Sequence, residues 1–569
     1  MKRSTVVFSL GGMMLMAGCI QAQTAFAQDR RISINEYRDK MKGGWLGQMA
    51  GVAFGAPTEF KMKGKILSEA QTPKWKPETI NESFGQDDLY VDMTFLRTLE
   101  VHGLEVSIRQ AGIDWANSGY PLWHANEAGR SNLRKGIAPP DSGHPQFNKH
   151  ADDIDYQIEA DFSGLVSPGL PNTAIALGER FGRLMNYGDG LYAGQFMGGL
   201  YAEAFFEKDA VKIVEAGLRC VPESSQFHEC ISDVLKWYRE DPVGWEKTWQ
   251  KVDDKYQKNA AYRRFSCDKK DFNIDAKINA AYVIMGLLYG KGDLDRSMAI
   301  SCRCGQDSDC NPSSTAGVLF TTIGFAKLPA TYKEKLDESR SWIYTAYNFP
   351  KLIAACEKVA REAVVKSGGR IEKDASGEEF FVIPPQTARP SKLEQCWEPG
   401  PVANSRFTEE EMAQIKPPAQ AKRGGSVVDM KAAVEKFASG WAVANCGSDM
   451  SPGIRDELGR EGVLVTHPLS EETASVLSKQ IDVPAGKKAA LRLTVGHHPQ
   501  GDWVLVVRAD GKELLKTTVG KETAKEGWLQ TSVDLSGYAG KSVKVELLNQ
   551  ANGWSFEAGY WARIAVQTE

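Results

Sequence analysis

The sequence predicts a multidomain protein that is α-helical in its first part and β-stranded in its last part. Up to about residue 370, apolar residues recur at helical spacing, as they do over residues 278–288. After residue 428 they alternate with polar residues, as over residues 491–495. A stretch rich in proline and glycine separates the two patterns. The expected arrangement is a helical domain over residues 28–410, a linker over 411–427 and a β-sandwich of jelly-roll type over 428–569.

The first 27 residues have the pattern of an export signal. Two basic residues precede an apolar run over residues 6–20, which is too short for a typical membrane span. The tripeptide Ala-Phe-Ala at residues 25–27 suits cleavage by a signal peptidase, whereas the segment ending at Cys19 resembles a lipoprotein signal. We therefore expect an exported protein, periplasmic or extracellular, that is attached to a membrane only if Cys19 is lipidated.

Composition and charge narrow the class of protein. Of the 569 residues, 42% are hydrophobic and 25% are charged, which is ordinary for a soluble globular protein. The formal charge is −4, and removal of residues 1–27 takes away two basic residues and makes it −6. The sequence has no basic run, so we expect no nucleic-acid partner. In an oxidising compartment, Cys220 and Cys230 could form a disulfide.

The first helix of the expected helical domain is marked at both ends. Ser33 and Glu36 form a capping box at its start. Its pattern continues to about Phe54, and a Gly-Ala-Pro turn over residues 55–57 ends it. Glu59 therefore stands just beyond a helix end, where its carboxylate could be functional or simply solvated.

A cluster of aspartates stands at the expected start of a later helix. The segment Gly-Gln-Asp-Ser-Asp-Cys-Asn-Pro over residues 305–312 holds Asp307 and Asp309 in a loop led by glycine. Asn311 is the expected N-cap and Pro312 suits the first helical position. Hard cations such as Mg²⁺ are bound by oxygen ligands of this kind. The segment therefore predicts two carboxylates at the N-terminal end of a helix, where a cation could bind.

A second acidic cluster lies far upstream, where Asp87 and Asp88 precede another helical pattern. An aspartate pair taken alone is more often a turn or an N-cap than a metal ligand. If the fold brings this pair to Asp307 and Asp309, the four carboxylates could bind one or two metal ions.

Three of these segments together resemble a known family. They are the opening helix with its Gly-Ala-Pro-x-Glu turn over residues 44–60, the aspartate pair at 87–88 and the loop over residues 305–311. In these segments the chain is similar to the ADP-ribosylglycohydrolase family, the all-helical group that includes the dinitrogenase reductase-activating glycohydrolase. The resemblance covers roughly residues 33–330 and implies an all-helical domain.

The resemblance also implies a divalent-metal site that holds one or two ions, with Mg²⁺ as the expected cation. The expected ligands are Asp87, Asp88, Asp307 and Asp309. The family commonly carries threonines around the upstream pair and after the last aspartate. The residues that stand at those positions in this chain are Gln86, Leu89 and Cys310.

The chemistry that the resemblance implies is hydrolysis at the anomeric carbon of a ribose-type sugar. Such a reaction passes through an oxocarbenium-like transition state. A metal held by aspartates can orient sugar hydroxyls and lower the pKa of a bound water. The expected catalytic residues are Glu59, as a general base or gate, and Asp88. Candidate substrate-binding residues, each of which could instead form a turn, are Asp161, Asn172 and Asp189.

Three functions remain open on the sequence alone. An exported glycosidase that cleaves a furanosyl group, of ribosyl or arabinosyl type, fits the expected compartment best. A hydrolase of ADP-ribosyl conjugates matches the family label but would be poorly placed outside the cytosol. A non-catalytic, metal-stabilised glycan-binding protein is the third. The expected partner is a carbohydrate or a nucleoside-type glycoside.

The C-terminal segment is similar to the galactose-binding-like modules found on exported carbohydrate enzymes. This resemblance implies a possible carbohydrate-binding module. Aromatic side chains in it could serve as sugar platforms or could fill the core of the sandwich. The candidates are Trp503, Trp554, Tyr560 and Trp561.

Overall fold

The computed structural model describes residues 1, 28–417, 430–447, 450, 452–553 and 556–568. The chain divides into two compact units. The first comprises residues up to Ser118 together with Leu122–Lys416, and the second comprises Gly119–Pro121 and Pro417–Glu569. Most of the expected signal segment and of the expected linker lie outside the described residues, so both remain predictions. The predicted order, helices first and antiparallel strands afterwards, is confirmed.

The first unit is built almost entirely of helices, with short 3₁₀ turns between them. Among the described residues no helix is both long and apolar enough to cross a membrane. The helices are α1 (Ile34–Gly55), α2 (Asp87–His102), α3 (Ile108–Ala116), α4 (His124–Arg134), α5 (Asp155–Ile158), α6 (Asp161–Leu165), α7 (Pro171–Phe181), α8 (Asp189–Ala204), α9 (Ala210–Leu218), α10 (Gln226–Glu240), α11 (Trp245–Val252), α12 (Ala276–Gly290), α13 (Leu294–Arg303), α14 (Cys310–Ile323), α15 (Phe349–Lys366) and α16 (Glu409–Met412).

The first unit also contains a small antiparallel sheet of three strands. Its strands are β1 (Arg30–Ser33), β2 (Arg370–Lys373) and β3 (Glu379–Ile383), in the order β1-β3-β2. The apolar run that starts at Phe380 is typical of a strand and corresponds to β3, whereas β1 leaves no such pattern in the sequence. Only one residue of β1, Ile32, is buried, and it lies opposite Phe381. A strand of four residues with a single buried side chain leaves too little alternation to be recognised.

A row of glycines sets the closest helix packing of the molecule. On α1 they recur every four residues, which places them on one face of the helix. A Cβ atom at any of them would lie under 3.0 Å from a backbone oxygen of α14 or of the loop before it. The two backbones can approach this closely only because these residues have no side chain. The glycines and their facing carbonyl oxygens are Gly43 with Phe320, Gly47 with Ala316, Gly51 with Pro312 and Gly55 with Ser308.

The order of these pairs fixes the position of the acidic loop. As residue numbers rise along α1 they fall along α14, so the two helices are antiparallel. The C-terminal end of α1 therefore lies against the loop that precedes α14. The Ser33 hydroxyl accepts a hydrogen bond from the backbone N–H of Glu36, as the predicted N-cap of α1 requires.

Within its described residues, the second unit contains two five-stranded antiparallel sheets and one α-helix, α17 (Met430–Phe437). The sheet orders are β10-β9-β12-β7-β4 and β11-β8-β13-β6-β5. Their strands are β4 (Ala442–Ala444), β5 (Gly453–Glu457), β6 (Arg460–Thr466), β7 (Ser475–Asp482), β8 (Ala489–His497), β9 (Trp503–Ala509), β10 (Lys512–Val519), β11 (Trp528–Asp534), β12 (Ser542–Gln550) and β13 (Gly559–Thr568).

One hydrophobic core joins the two sheets. It contains Leu491 of β8 and Trp561 of β13 from one sheet, and Trp503 of β9 and Val545 of β12 from the other. A core shared by two antiparallel sheets is the arrangement of a β-sandwich.

The aromatic side chains of this unit correct one expectation. Trp503 and Trp561 are fully buried, and each indole N–H donates inside the unit, to the Gly496 carbonyl and to the Thr466 hydroxyl. Tyr560 is 1% exposed. These three residues are core aromatics and not sugar platforms. Trp554 lies outside the described residues.

Cys220 and Cys230, which could have formed a disulfide, are not bonded to each other. All nine cysteines among the described residues are free. The thiol of Cys220 donates to the carbonyl of Ala216, whereas that of Cys230 donates to the carbonyl of Lys277. Cys220 lies in the turn after α9 and Cys230 lies on α10, and their thiols are directed to different neighbours.

Candidate active site

The loop before α14 is tied to the turn that follows α1. Gly305 and Gln306 both adopt positive φ angles, 84° and 56°. Gln306 donates its backbone N–H to the Met62 carbonyl (2.9 Å) and accepts at its own carbonyl from Phe60 (3.1 Å). A Cβ atom at Gly305 would lie under 3.0 Å from the Met62 oxygen, so the close approach requires glycine. These contacts hold the aspartates after Gln306 beside Glu59.

Helix α14 begins earlier than the sequence predicts. Its first residue is Cys310 and its N-cap is Asp309, not Asn311. The Asn311 side chain instead donates to Asn279 on α12 (2.9 Å), and its backbone N–H donates to the Asp307 carbonyl (3.1 Å). The Asp309 carboxylate makes no capping hydrogen bond, although aspartate at this position usually makes one. It therefore remains available to another partner.

The aspartate pair begins helix α2, as predicted. Asp87 and Asp88 occupy its first turn, where the positive end of the helix dipole favours negative charge. The thiol of Cys310 donates to Oδ1 of Asp88 at 3.1 Å, so the start of α14 touches the start of α2. The two acidic clusters of the sequence meet at this point.

Burial and the nearby negative charges raise the pKa values of the carboxyl groups that meet here. Burial raises the pKa of Asp88 well above its ordinary value, and the charges of Asp87 and Asp309 raise it further. Burial is also the main cause of the raised pKa values of Asp307 and Asp309, each of which is at most 4% exposed. Like charges packed together in this way favour the protonated forms unless a cation compensates them.

Glu59 belongs to the same electrostatic group although its side chain is exposed. Its pKa is raised well above the ordinary value, first by the charge of Asp309, then by burial of part of the carboxyl group and by the charge of Asp87. Lys61 opposes this effect. Glu59 therefore stands at the solvent side of the carboxylate group, and the neighbouring charges favour its protonated form.

Unpartnered oxygens show what this group lacks. Oδ2 of Asp88, Oδ1 of Asp307 and Oδ1 of Asp309 are buried and have no hydrogen-bond partner within the described part of the chain. Buried carboxylate oxygens without a partner are costly. The ligand atoms of Asp307, Asp309 and Cys310 also lie within 4.8 Å of one another. Oxygen donors in this arrangement fit a divalent cation such as Mg²⁺, for which the thiol is the one poor donor.

The segment over residues 152–161 contains further acidic residues of the site. Of these, only Asp161 was among the predicted site residues. Asp155 and Glu159 alternate with apolar residues along it, and both are buried. Burial raises the pKa of Glu159, and the charges of Asp155, Asp87 and Asp88 add to this effect. The signal in the sequence that marks them is the alternation of polar side chains at 153, 155, 157, 159 and 161.

Asp161 joins the group through a further acid on α2. Asp92 lies one helical turn after Asp88, and its Oδ2 accepts the backbone N–H of Phe162 at 3.3 Å. Burial, followed by the charge of Asp161, raises the pKa of Asp92. Burial raises the pKa of Asp161 itself to about 8. The predicted residue Asp161 is thus placed beside the α2 carboxylates.

The other two predicted substrate contacts are engaged elsewhere. The Asn172 side chain donates to the Thr387 carbonyl (3.0 Å) and accepts from the Arg389 N–H (2.9 Å). Asp189 forms a buried ion pair with Lys277, N to O 3.1 Å, and accepts the N–H of Phe227. Both side chains therefore hold segments of the fold together, and the structure does not bring them into the carboxylate group.

In the presence of a chelator, the free energy of unfolding of the protein is expected to fall as the pH rises. The folded-state pKa of Asp161 is about 8, above the ordinary value of 3.8. Below about pH 4 this carboxyl group is protonated in both the folded and the unfolded state. As the pH rises towards 8 the unfolded chain releases the proton and the folded protein retains it, so the free energy of unfolding falls. Melting temperatures in chelator at pH 5 and 8 test this. Asp161→Asn should show a smaller decrease between the two, and a melting temperature that increases equally in both proteins would contradict the expectation.

The fold and the clustered carboxylates are accompanied by a family match that places the chain among proteins of hydrolase type. The family model of ADP-ribosylglycohydrolase matches residues 33–363, and the chain belongs to that family. This confirms the family that residues 44–60 and the two acidic clusters indicated. The comparison with curated proteins gives no match.

Two solved structures are similar to parts of the chain. An ADP-ribosylglycohydrolase-related protein complex is 15% identical, covers 58% of this chain and 100% of its own, and has a TM-score of 0.37. A cyclase from Fischerella sp. TAU is 15% identical, covers 23% of this chain and 74% of its own, and has a TM-score of 0.17. Similarity at these scores carries no argument about function.

Proposed function

We propose that this chain is an exported, divalent-metal-dependent glycoside hydrolase that cleaves at the anomeric carbon of a furanosyl group of ribosyl or arabinosyl type. The observation that carries the proposal is the meeting of the α2 and α14 aspartates, whose buried oxygens lack partners. Family membership supports a glycohydrolase, and the pattern of residues 1–27 supports export.

The residues that would hold the metal are Asp87, Asp88, Asp307 and Asp309. When bound, Mg²⁺ supplies positive charge that orients sugar hydroxyls and lowers the pKa of a water. The loop over residues 305–309 is held by backbone hydrogen bonds to Phe60 and Met62, so the carboxylates keep their positions without the cation. Cys310 adds a hydrogen bond that orients Asp88.

Proton transfer falls to Glu59 in this proposal. The charges of Asp309 and Asp87 raise its pKa well above the ordinary value, and a raised carboxyl pKa favours a role as general acid or base. Its exposure places it where water and the leaving group can reach it. The negative charges of the neighbouring aspartates favour the positive charge that develops on the sugar in an oxocarbenium-like transition state.

A substrate panel tests the proposal. Ribofuranosides, arabinofuranosides, the matching pyranosides and an ADP-ribosyl conjugate are incubated with the purified protein, with excess chelator or with Mg²⁺. We expect a furanoside to be cleaved, at least about 100-fold more slowly in chelator, with activity restored by Mg²⁺. The mature protein recovered from the periplasm or medium should begin at Gln28.

Two results would contradict the proposal. Equal furanoside cleavage in chelator would exclude the metal role. Cleavage of the ADP-ribosyl conjugate alone would favour the second function that the sequence leaves open.

A further inference from the structure

A second group of metal-binding side chains lies outside the carboxylate site. It consists of His124, His150, Asp153 and Cys267, and one ligand atom from each lies within 4.8 Å of the others. In a tetrahedral zinc site with bonds of about 2.0–2.3 Å, neighbouring ligand atoms are about 3.4 Å apart. Small side-chain rotations would therefore bring the four atoms to zinc distances.

We propose that His124, His150, Asp153 and Cys267 form a zinc site. Two imidazoles, one carboxylate and one thiolate are donors that zinc accepts in four-coordinate sites. Imidazole and thiolate select a transition metal over Mg²⁺, which the all-oxygen set of the other site suits. The zinc site and the carboxylate site are therefore expected to bind different cations.

Hydrogen bonding alone leaves this group incomplete. Nδ1 of His150 lies 2.7 Å from Oδ2 of Asp153, which is a good hydrogen bond, but Nδ1 of His124 is 3.5 Å from the same oxygen. Asp153 is fully buried, and its Oδ1 has no hydrogen-bond partner within the described residues. A cation among the four side chains would satisfy this oxygen and the imidazole of His124 together.

The four ligands are held on rigid supports. The side-chain amide of Asn148 donates to the carbonyls of Ala125 and Met185, which fixes the turn of His150 against the start of α4. The amide of Asn186 donates to the Asp153 carbonyl at 2.8 Å. Supporting hydrogen bonds of this kind orient metal ligands and contribute to metal affinity.

The loop that carries Cys267 is supported separately. The Arg263 guanidinium donates to the carbonyls of Lys270 (2.7 Å) and Phe272 (3.0 Å). The imidazoles of His124 and His150 are 27% and 17% exposed, so an ion can enter from solvent. The site is thus both preorganised and accessible.

The same loop connects the zinc site to the carboxylate site. Gln306, which precedes Asp307, accepts the backbone N–H of Asn273 and donates to the Asp271 carbonyl. Asp155 follows Asp153 by two residues. Zinc at the proposed site would therefore hold two segments that shape the carboxylate group.

Metal content and cobalt spectroscopy test the site on the mature full-length protein. After loading with Zn²⁺ and exchange into Mg²⁺ buffer, we expect one zinc per chain. Replacement by Co²⁺ should give thiolate-to-metal absorption in the near ultraviolet. Cys267→Ser should abolish this band, and His150→Ala should lower zinc affinity at least about tenfold. Cys310→Ser and Cys446→Ser, which change thiols outside the site, should retain both properties.

Each outcome of this experiment supports or overturns the zinc site, and none of them decides the proposed glycosidase activity. Loss of the band in Cys310→Ser but not in Cys267→Ser would place the metal among the carboxylates and overturn the zinc site. Absence of retained zinc in the native protein would overturn it as well. Either result is distinguishable from failure of the proposed function, because the furanoside assay compares chelator with Mg²⁺ and contains no added zinc.

Discussion

Replacement of Asp307 or Asp309 by asparagine is expected to lower furanoside turnover on the order of 10²–10³-fold or more. Asparagine keeps the size of each side chain but removes the charge that a cation needs. Both carboxylates are buried, and each has an oxygen without a hydrogen-bond partner among the described residues that a cation would satisfy. Steady-state kinetics at saturating Mg²⁺ measure the effect.

The fold of these variants should be retained. Removing one of several crowded carboxylates reduces repulsion, so the melting temperature in chelator should equal or exceed that of the native protein. Asp254→Asn, at a solvent-exposed aspartate that pairs with Lys258, is the matched control and should leave turnover unchanged. Native activity in both the Asp307 and Asp309 variants would show that the carboxylate site is not catalytic.

Replacement of Gly51 by alanine is expected to destabilise the first unit by about 3 kcal/mol or more. The new Cβ atom would lie under 3.0 Å from the backbone of Pro312 and Ser313, and backbone atoms cannot move aside without separating α1 from α14. That separation would also displace the loop that carries Asp307. Denaturant unfolding monitored by circular dichroism at helical wavelengths measures the loss.

Gly85→Ala is the matched control for this variant. A Cβ atom there meets only the Ile343 side chain at 3.9 Å, an ordinary van der Waals contact. Its unfolding midpoint should stay close to that of the native protein. If Gly51→Ala is as stable as Gly85→Ala, the glycine row does not determine the helix spacing.

The local signals of the sequence predicted much of the architecture. The period of the apolar residues changes between the helices of the first unit and the strands of the second, because each period reports which face of one element is buried. The helix start at Asp87 and the N-cap at Ser33 were also predicted, since capping depends on side chains within one helical turn. The two acidic clusters were recognisable because each lies within a few consecutive residues.

Local signals failed where a distant residue competes for the same side chain. Asn311 has the right type for an N-cap, yet Asn279 on α12 engages its amide and α14 starts one residue before it. Asp189 has the type of a substrate contact, yet Lys277 neutralises it inside the core. Hydrogen bonds and ion pairs between residues far apart in sequence leave no spacing pattern.

The sequence by itself determined where two pairs of aspartates stand at the starts of two helices, because that information is local. Only the tertiary structure decided that Asp88 and Cys310 touch, that Glu159 and Asp161 belong to the same group, and that Trp561 is core. The reason is physical. Close approach of α1 and α14 depends on glycines facing carbonyl oxygens about 260 residues away, and burial of a side chain depends on what packs over it.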